Sequence, residues 1–93
     1  MKLIREKEIL GACIMTIKVA TTGKMGGDSG HGGRTSLEIN LDGGDMAVVS
    51  ESTRVLAKTE RAYRVLLEFG GDEELRVLTE GLEFAAKTLR EAK

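Results

Sequence analysis

The last part of the chain constrains the fold most strongly, because its apolar residues recur at helical spacing. They step by three and four positions and comprise Leu75, Leu78, Leu82, Ala85, Leu89 and Ala92. This stripe predicts one amphipathic helix over residues 72–92 that covers one face of a sheet. Asp72 is the expected N-cap after two glycines, and basic residues near the end of the segment complement the helix dipole. Gly81 interrupts the stripe, which costs a helix interior about 1 kcal/mol relative to alanine.

Two upstream segments predict strands. Residues 14–22 are rich in β-branched side chains, and residues 34–42 alternate between apolar and polar side chains, which is typical of a half-buried strand. The Asp-Gly-Gly-Asp sequence at 42–45 predicts a tight turn. We therefore expect residues 34–42 to pair with residues 46–50 as an antiparallel hairpin.

Residues 52–69 fit two patterns. Apolar positions recur at helical spacing, but Tyr63, Val65, Leu67 and Phe69 also alternate as they do in a strand. The bulky alternating residues and the Gly-Gly stop at 70–71 favour a strand from Ala62 onward, preceded by a short β-like stretch near Val55. Residues 1–14 form either an extra strand or an N-terminal extension.

These elements predict a single α+β domain over residues 1–93. Its expected architecture is an antiparallel sheet of three to five strands with the C-terminal helix packed on one face. The chain is 41% hydrophobic, but it has no tryptophan and few other aromatic residues, so its core should be aliphatic. Apolar side chains on the sheet face away from the helix, namely Leu66 and either Val48 or Val49, favour a homodimer over a monomer.

Charge and cysteine content limit the partners and the compartment. Fourteen basic and fifteen acidic residues give a net charge of −1, so direct nucleic-acid binding is not expected. The single cysteine, Cys13, has no intramolecular disulfide partner and lies among apolar neighbours, which predicts a reducing cytoplasm and a small core side chain. The apolar run at residues 9–17 is too short to span a bilayer, so no membrane association is expected.

Residues 23–33 are the most unusual segment, because six of these eleven residues are glycine. Glycine is costly to order and is used where the backbone needs positive φ or close approach. Successive N–H groups in such a segment can form a nest for an anion. The candidate binding residues are the polar side chains in and next to the loop, namely Lys24, Asp28, Ser29, His31 and Arg34. A flexible connection between two strands is the structural alternative.

Catalytic and metal motifs fail at this loop. A P-loop requires a glycine where Asp28 stands and a helix where a strand is predicted. The Gly-Asp-Ser-Gly sequence at 27–30 matches the surroundings of a serine protease nucleophile, but the single histidine, His31, is only two residues from Ser29. One histidine, one cysteine and scattered carboxylates do not have metal-ligand spacing. We therefore predict no enzyme activity, no metal and no cofactor.

One stretch carries a resemblance to known proteins, Thr21-Thr22-Gly23-Lys24-Met25-Gly26-Gly27-Asp28-Ser29-Gly30-His31-Gly32-Gly33-Arg34-Thr35. It resembles small uncharacterised proteins of bacteriophages and prophages, and the likeness continues through Phe69-Gly70-Gly71-Asp72 into the helix. The resemblance implies a protein that works in the host cytoplasm. Phage proteins of this size often inhibit host defences, such as CRISPR nucleases, by stoichiometric binding.

Two functions therefore remain. In the first, the loop docks on a host protein and blocks it sterically, as an anti-CRISPR protein does. In the second, the loop folds over a phosphate-bearing nucleotide signal and sequesters it. Whether the loop is ordered in the absence of a ligand distinguishes them, because a sponge needs a formed pocket.

Overall fold

The computed structural model describes residues 3–50 and 58–92, and these ranges contain six strands and one helix. The strands are β1 (Leu3–Ile9), β2 (Ile14–Thr21), β3 (Arg34–Asp42), β4 (Ala47–Ser50), β5 (Lys58–Arg61) and β6 (Arg64–Gly70), and the helix is α1 (Asp72–Glu91). Four strands form one sheet in the order β1-β2-β3-β6, and β4 and β5 form a second, small sheet. The predicted α+β class, an antiparallel sheet with one C-terminal helix, is confirmed.

Strand β3 has two neighbours in the sheet, and it carries the most buried side chains of any strand described. Thr35 is 5% exposed and Leu37 is 7% exposed, in agreement with the predicted alternation along this strand. Leu37 is the only buried apolar side chain in residues 3–50 and 58–92. The expected aliphatic core is therefore very small within a single chain.

The predicted hairpin between residues 34–42 and 46–50 is wrong. Both edges of β3 are already occupied, by β2 and by β6, so no edge remains for β4. Strand β4 pairs instead with β5 in antiparallel register, with Ala47 opposite Arg61 and Val49 opposite Thr59. The turn at 42–45, in which Gly43 has a φ of 79°, leads the chain into the second sheet.

The start of the chain contributes a strand, so the extra-strand alternative for residues 1–14 holds for Leu3–Ile9. Every side chain of β1 is exposed, and its central residues are charged, as is common on sheet edges that must not pair with other chains. The expectation that Cys13 lies in the core is wrong. It is exposed, because it belongs to the turn between β1 and β2.

The ambiguous segment at 52–69 contains strands where it is described. Strand β6 begins at Arg64 and β5 ends at Arg61, close to the predicted strand start at Ala62. The β-like stretch expected near Val55 lies outside the described residues. Strand β6 is paired with β3, and β5 is paired with β4.

The chain divides into two compact units, which are described separately. One consists mainly of Ile4–Val19 and Leu37–Leu67, and the other mainly of Ala20–Ser36 and Glu68–Lys93. In the first unit, Arg64 Nη2 donates to Glu38 Oε1 at 3.0 Å and Asn40 Nδ2 donates to Glu38 Oε2 at 2.8 Å. These hydrogen bonds, that from Arg64 foremost, lower the pKa of Glu38 to about 2.

The second unit, called here the loop–helix unit, contains the glycine-rich loop at 23–33 and α1. Helix α1 begins at Asp72, where the sequence predicts it. None of its side chains is buried, and those from Gly81 to Ala92 are all exposed. Among the described residues, the apolar stripe is therefore largely uncovered.

Candidate functional site at the glycine-rich loop and the helix start

The glycine-rich loop is closed at its base by the strands on either side. The N–H of Thr22 donates to the carbonyl of Arg34 at 3.0 Å, and the N–H of Arg34 donates to Thr22 Oγ1 at 2.9 Å. The hydroxyls of Thr21 and Thr35 lie 2.8 Å apart and share a further hydrogen bond. The loop therefore leaves and re-enters the sheet at two adjacent positions.

The loop backbone forms the anion nest that its glycine content predicts, and the anion is the carboxylate of Asp72. The N–H groups of Met25 and Gly33 donate to Asp72 Oδ1 at 2.9 and 3.0 Å. Those of Gly26 and Gly27 donate to Oδ2 at 2.6 and 3.4 Å. These backbone hydrogen bonds, those from Met25 and Gly33 foremost, lower the pKa of Asp72 to about 2 because they stabilise the ionised form. The loop therefore recognises a carboxylate of its own chain.

The loop also supplies hydrogen-bond acceptors for the backbone N–H groups at the helix start. Asp28 Oδ1 accepts a hydrogen bond of 2.8 Å from the N–H of Glu73, 45 residues along the chain. The N–H of Asp72 donates to the carbonyl of Gly27 at 2.6 Å, and that of Gly71 donates to the carbonyl of Gly33 at 2.7 Å. The first N–H groups of a helix have no partner within the helix, so the loop supplies their acceptors.

This arrangement corrects the predicted role of Asp72. The N-cap residue is Gly71, which has no side chain with which to cap the helix, and Asp72 is the first helical residue. Its carboxylate points to the loop, because four backbone N–H groups gather there. Asp28 provides the side-chain acceptor that a local N-cap residue would otherwise supply.

Glu74 binds the outer part of the loop. Its carboxylate accepts hydrogen bonds from the N–H of Ser29 at 3.0 Å and from Ser29 Oγ at 3.2 Å. The bond from the Ser29 backbone is the main reason why the pKa of Glu74 is lowered. Ser29 is also the one non-glycine residue of the described chain with positive φ, at 51°. The Glu74 contact thus holds the loop in a conformation that a serine rarely adopts.

Two glycines allow the loop and the helix start to lie in direct backbone contact. A Cβ atom on Gly33 would overlap the carbonyl oxygen of Gly23. A Cβ atom on Gly71, whose φ is 132°, would lie 2.7 Å from the backbone nitrogen of Ser29 and would overlap the Glu74 carboxylate. The glycine content of this region is therefore a steric requirement of a packed junction.

The five predicted binding residues have two different roles. Asp28 and Ser29 face the helix start, and Arg34 Nη2 donates to the carbonyl of Gly30 at 2.8 Å. The side chains of Lys24 and His31 are exposed and make no side-chain hydrogen bond within residues 3–50 and 58–92. Lys24 and His31 are therefore the two of the five whose side chains are not directed to another part of the loop or to the helix start by a hydrogen bond.

The absence of a side chain at Gly70 leaves space for the guanidinium of Arg34. A Cβ atom on Gly70 would overlap the guanidinium, so this glycine makes room for the arginine side chain. The guanidinium lies beside a cleft of about 430 Å³, lined also by Ala20, Thr35, Ser36, Glu68 and Phe69. The cleft adjoins the loop and places one positive and one negative side chain on its walls.

Sequence reasoning missed Asp72 and Glu74 as partners of the loop. The tripeptide Gly-Gly-Asp occurs three times, at 26–28, 43–45 and 70–72. In the structure the first and third copies lie together: each aspartate carboxylate accepts hydrogen bonds from N–H groups of the segment that carries the other. Because the copy at 43–45 belongs to a turn, the repetition alone does not show which segments meet.

Searches against protein-family models, curated proteins and solved structures find no match to this chain. Within residues 3–50 and 58–92, no three His, Cys, Asp or Glu side chains are grouped so that they could hold a metal ion. Helix α1, the helix of the described ranges, is not apolar enough to cross a membrane.

Proposed function

We propose that this protein is a non-enzymatic, phage-encoded inhibitor that binds a host defence protein stoichiometrically through the glycine-rich loop. Order of the loop by itself fits both functions, because sequestration also needs a formed pocket. The observation that carries the proposal is that the loop N–H groups already donate to Asp72 and Glu74, so the ordered loop offers a partner its side chains rather than free backbone donors. A loop that is already ordered loses little conformational entropy on binding, which suits steric blockade of a host protein, as by an anti-CRISPR protein.

The binding surface proposed here consists of Lys24, Met25 and His31, which are exposed on the ordered loop. Met25 is 63% exposed, so an apolar side chain is flanked by polar ones, as at the centre of many protein interfaces. The ionisation of the carboxylates next to this surface supports a binding role rather than a catalytic one. Those of Asp72 and Glu74 are bound to backbone N–H groups and have lowered pKa values, so they are poor proton donors or acceptors near neutral pH.

The alternative function, sequestration of a phosphate-bearing nucleotide, is less well supported. It needs the loop N–H groups for phosphate oxygens, but those of Met25, Gly26, Gly27 and Gly33 already donate to Asp72. A phosphate would have to displace a carboxylate of the same chain. Nucleotide binding is therefore the result that would contradict the proposal in the test below.

The test is capture of a host protein from lysate by the wild type and by the double variant Lys24→Ala/His31→Ala. Both side chains are exposed, so we expect loss of the captured protein, an unchanged Tm and an unchanged circular dichroism spectrum. Arg34 is left intact because it also binds the Gly30 carbonyl. Lys7→Ala, which removes an exposed lysine of β1, is the matched control and should capture as the wild type does.

Two results would contradict the proposal. One is equal capture by the wild type and the double variant, which would place the partner surface elsewhere. The other is a calorimetric response to a nucleotide or cyclic dinucleotide that disappears in the double variant, which would favour the sequestration function. We expect no heat of binding across such a panel.

A further inference from the structure

The cleft beside the glycine-rich loop carries two opposite charges that do not bind each other. Arg34 of β3 and Glu68 of β6 both line it, and its volume of about 430 Å³ is typical of a small-molecule site. The carboxylate of Glu68 makes no hydrogen bond or ion pair with any residue of 3–50 and 58–92. Within these ranges, an unpaired carboxylate and a guanidinium therefore belong to the same cleft.

Strand geometry places both charged side chains on the same face of the sheet. A Cβ atom on Gly70 would overlap the guanidinium of Arg34, so the arginine side chain lies on the face to which position 70 points. Glu68 is two residues before Gly70 in β6, and alternate residues of a strand share a face. Two residues of a strand span about 7 Å. This spacing leaves room for a small ligand that contacts both charged groups.

The guanidinium of Arg34 has a fixed place in the cleft. Its Nη2 donates to the carbonyl of Gly30 at 2.8 Å, which is its one side-chain hydrogen bond to the described part of the chain. Gly70 has no positive φ, so its own backbone does not require glycine. A glycine in a strand often marks the close approach of another group, which here is the guanidinium. An arginine has five N–H donors, so most of them remain for a ligand carboxylate.

The rest of the lining narrows the class of ligand. The hydroxyl of Ser36 makes no hydrogen bond within the described ranges, and Ala20 and Phe69 are apolar. A phosphate or another multivalent anion would meet the negative charge of Glu68, and a simple amine would meet the positive charge of Arg34. A ligand with one carboxylate and one ammonium group is complementary to both side chains.

We propose that this cleft binds a free α-amino acid. The α-carboxylate accepts two hydrogen bonds from the guanidinium of Arg34, and the α-ammonium group donates to the carboxylate of Glu68. The side chain of the amino acid lies toward Ala20 and Phe69, so an aliphatic side chain suits the cleft. This site is separate from the loop surface of the proposed function and does not depend on it.

The first experiment is an NMR titration of the isotope-labelled wild type with L-valine and with two compounds that each lack one of its charges. Isovalerate is L-valine without the ammonium group, and isobutylamine is L-valine without the carboxylate. We expect L-valine to cause saturable shifts of the backbone amides of Arg34, Ser36, Glu68 and Gly70. Each compound with one charge should bind at least about tenfold more weakly, because it lacks one set of charge-assisted hydrogen bonds.

Two variants assign the two charged groups of the ligand. Glu68→Gln should weaken the binding of L-valine about tenfold but leave that of isovalerate unchanged or tighter, because the carboxylate no longer meets a negative charge. Arg34→Gln should weaken the binding of L-valine and isovalerate alike, and its amide can still donate to the Gly30 carbonyl. If Arg34→Gln does not fold, Glu68→Gln, at an exposed position, decides.

Gly70→Ala tests the placement of the guanidinium without a change of charge. The new Cβ would overlap the flexible end of the Arg34 side chain and would lie 3.3 Å from the Cα atom of Gly30. The fold should therefore persist while the guanidinium moves. We expect weaker binding of L-valine with an unchanged circular dichroism spectrum, and undiminished binding would overturn the proposal.

Arg5→Gln and Glu6→Gln, at exposed positions of β1, are the matched controls and should bind L-valine as the wild type does. The proposal is overturned if L-valine causes no saturable shifts at the cleft, if isovalerate binds as tightly as L-valine, or if the controls lose binding as the cleft variants do. It is also overturned if inorganic phosphate binds the cleft as tightly as L-valine, because the cleft would then be a general anion site.

Discussion

The two ends of α1 show opposite relations between sequence and packing. At its start, the glycine-rich segment at 23–33 gathers around Asp72 and Glu74 and is bound to them through backbone N–H groups. In its second half, from Gly81 onward, a regular amphipathic sequence forms a helix whose side chains are all exposed. Regular secondary structure is thus no guide to which region is fixed by tertiary contacts.

The physical reason lies in the groups that each region must satisfy. Backbone N–H groups at a helix start and in a glycine-rich loop need acceptors, and each region here provides acceptors for the other. The second half of α1 satisfies its own backbone and leaves only apolar side chains without partners. Those side chains gain by burial but have no partner within the described chain.

The largest effect is expected from a methyl group at the loop–helix junction. In Gly33→Ala the new Cβ would overlap the carbonyl oxygen of Gly23, which is backbone and yields only if the loop base opens. We expect a loss of unfolding free energy on the order of 3 kcal/mol, measured by urea denaturation.

The control for this variant is Gly11→Ala in the turn between β1 and β2. There the new Cβ would lie 3.3 Å from the carbonyl oxygen of Cys13, which requires only a small adjustment. Its cost should stay below about 1 kcal/mol. Equal costs at the two positions would mean that the loop–helix junction is not tightly packed.

A smaller loss is expected when the carboxylate at the helix start is replaced. In Asp72→Asn one carboxylate oxygen becomes an NH2 donor, which faces either the N–H groups of Met25 and Gly33 or those of Gly26 and Gly27 and leaves that pair without an acceptor. We expect a Tm lower by several degrees and faster hydrogen exchange at one of these two pairs of amides.

The pH dependence of stability follows from the same carboxylate. The pKa of Asp72 is about 2 in the folded chain and near 3.8 in the unfolded one, so its stabilisation is complete above about pH 5 and is lost as the pH falls through 3.8 toward 2. The wild-type Tm should fall over this interval, and that of Asp72→Asn should fall less. Glu38, whose folded pKa is also about 2, accounts for a slope that both proteins retain.

Glu91→Gln, at the other end of α1, is the matched control for Asp72→Asn. Glu91 is exposed, and a negative charge at a helix C-terminus is unfavourable, so its removal should leave the Tm unchanged or slightly raised. A comparable loss in both variants would contradict the contrast between the two helix ends.

The smallest effect is expected at Ser29, where two changes oppose each other. Ser29→Gly removes the hydroxyl hydrogen bond to Glu74 but also relieves the positive φ of 51°. We expect a net change below about 0.5 kcal/mol. Ser29→Ala loses the same hydroxyl and keeps the unfavourable φ, so it should be the less stable of the two. The reverse order in thermal melts would show that the positive φ of residue 29 is not a source of strain.

Local patterns predicted the elements whose cause lies within a few residues. The alternation at 34–42 and the stripe from Leu75 correspond to β3 and α1, because backbone hydrogen bonding imposes periods of two and 3.6 on side chains. The pairing of β3 could not be predicted in the same way. The turn at 42–45 is compatible with a hairpin, but β2 and β6 occupy both edges of β3.

At the candidate site, the glycine content indicated that the loop backbone can bind an anion, but it did not indicate which anion. Six glycines in residues 23–33 indicate a backbone able to bind an anion, and the loop does hold one. That the anion is Asp72 depends on the path of a chain that returns more than forty residues later. Asp28 and Ser29, candidates for external binding, are directed to the helix start for the same reason.

From sequence alone, then, came the α+β class, the C-terminal helix, and a glycine-rich loop whose backbone is able to bind an anion, since propensity and periodicity are local properties. Only the tertiary structure decided which strands are neighbours, which carboxylate fills the nest, and which apolar face of α1 is left open. These depend on contacts between residues distant in sequence, whose meeting is determined by the competition of all segments for the same edges and acceptors.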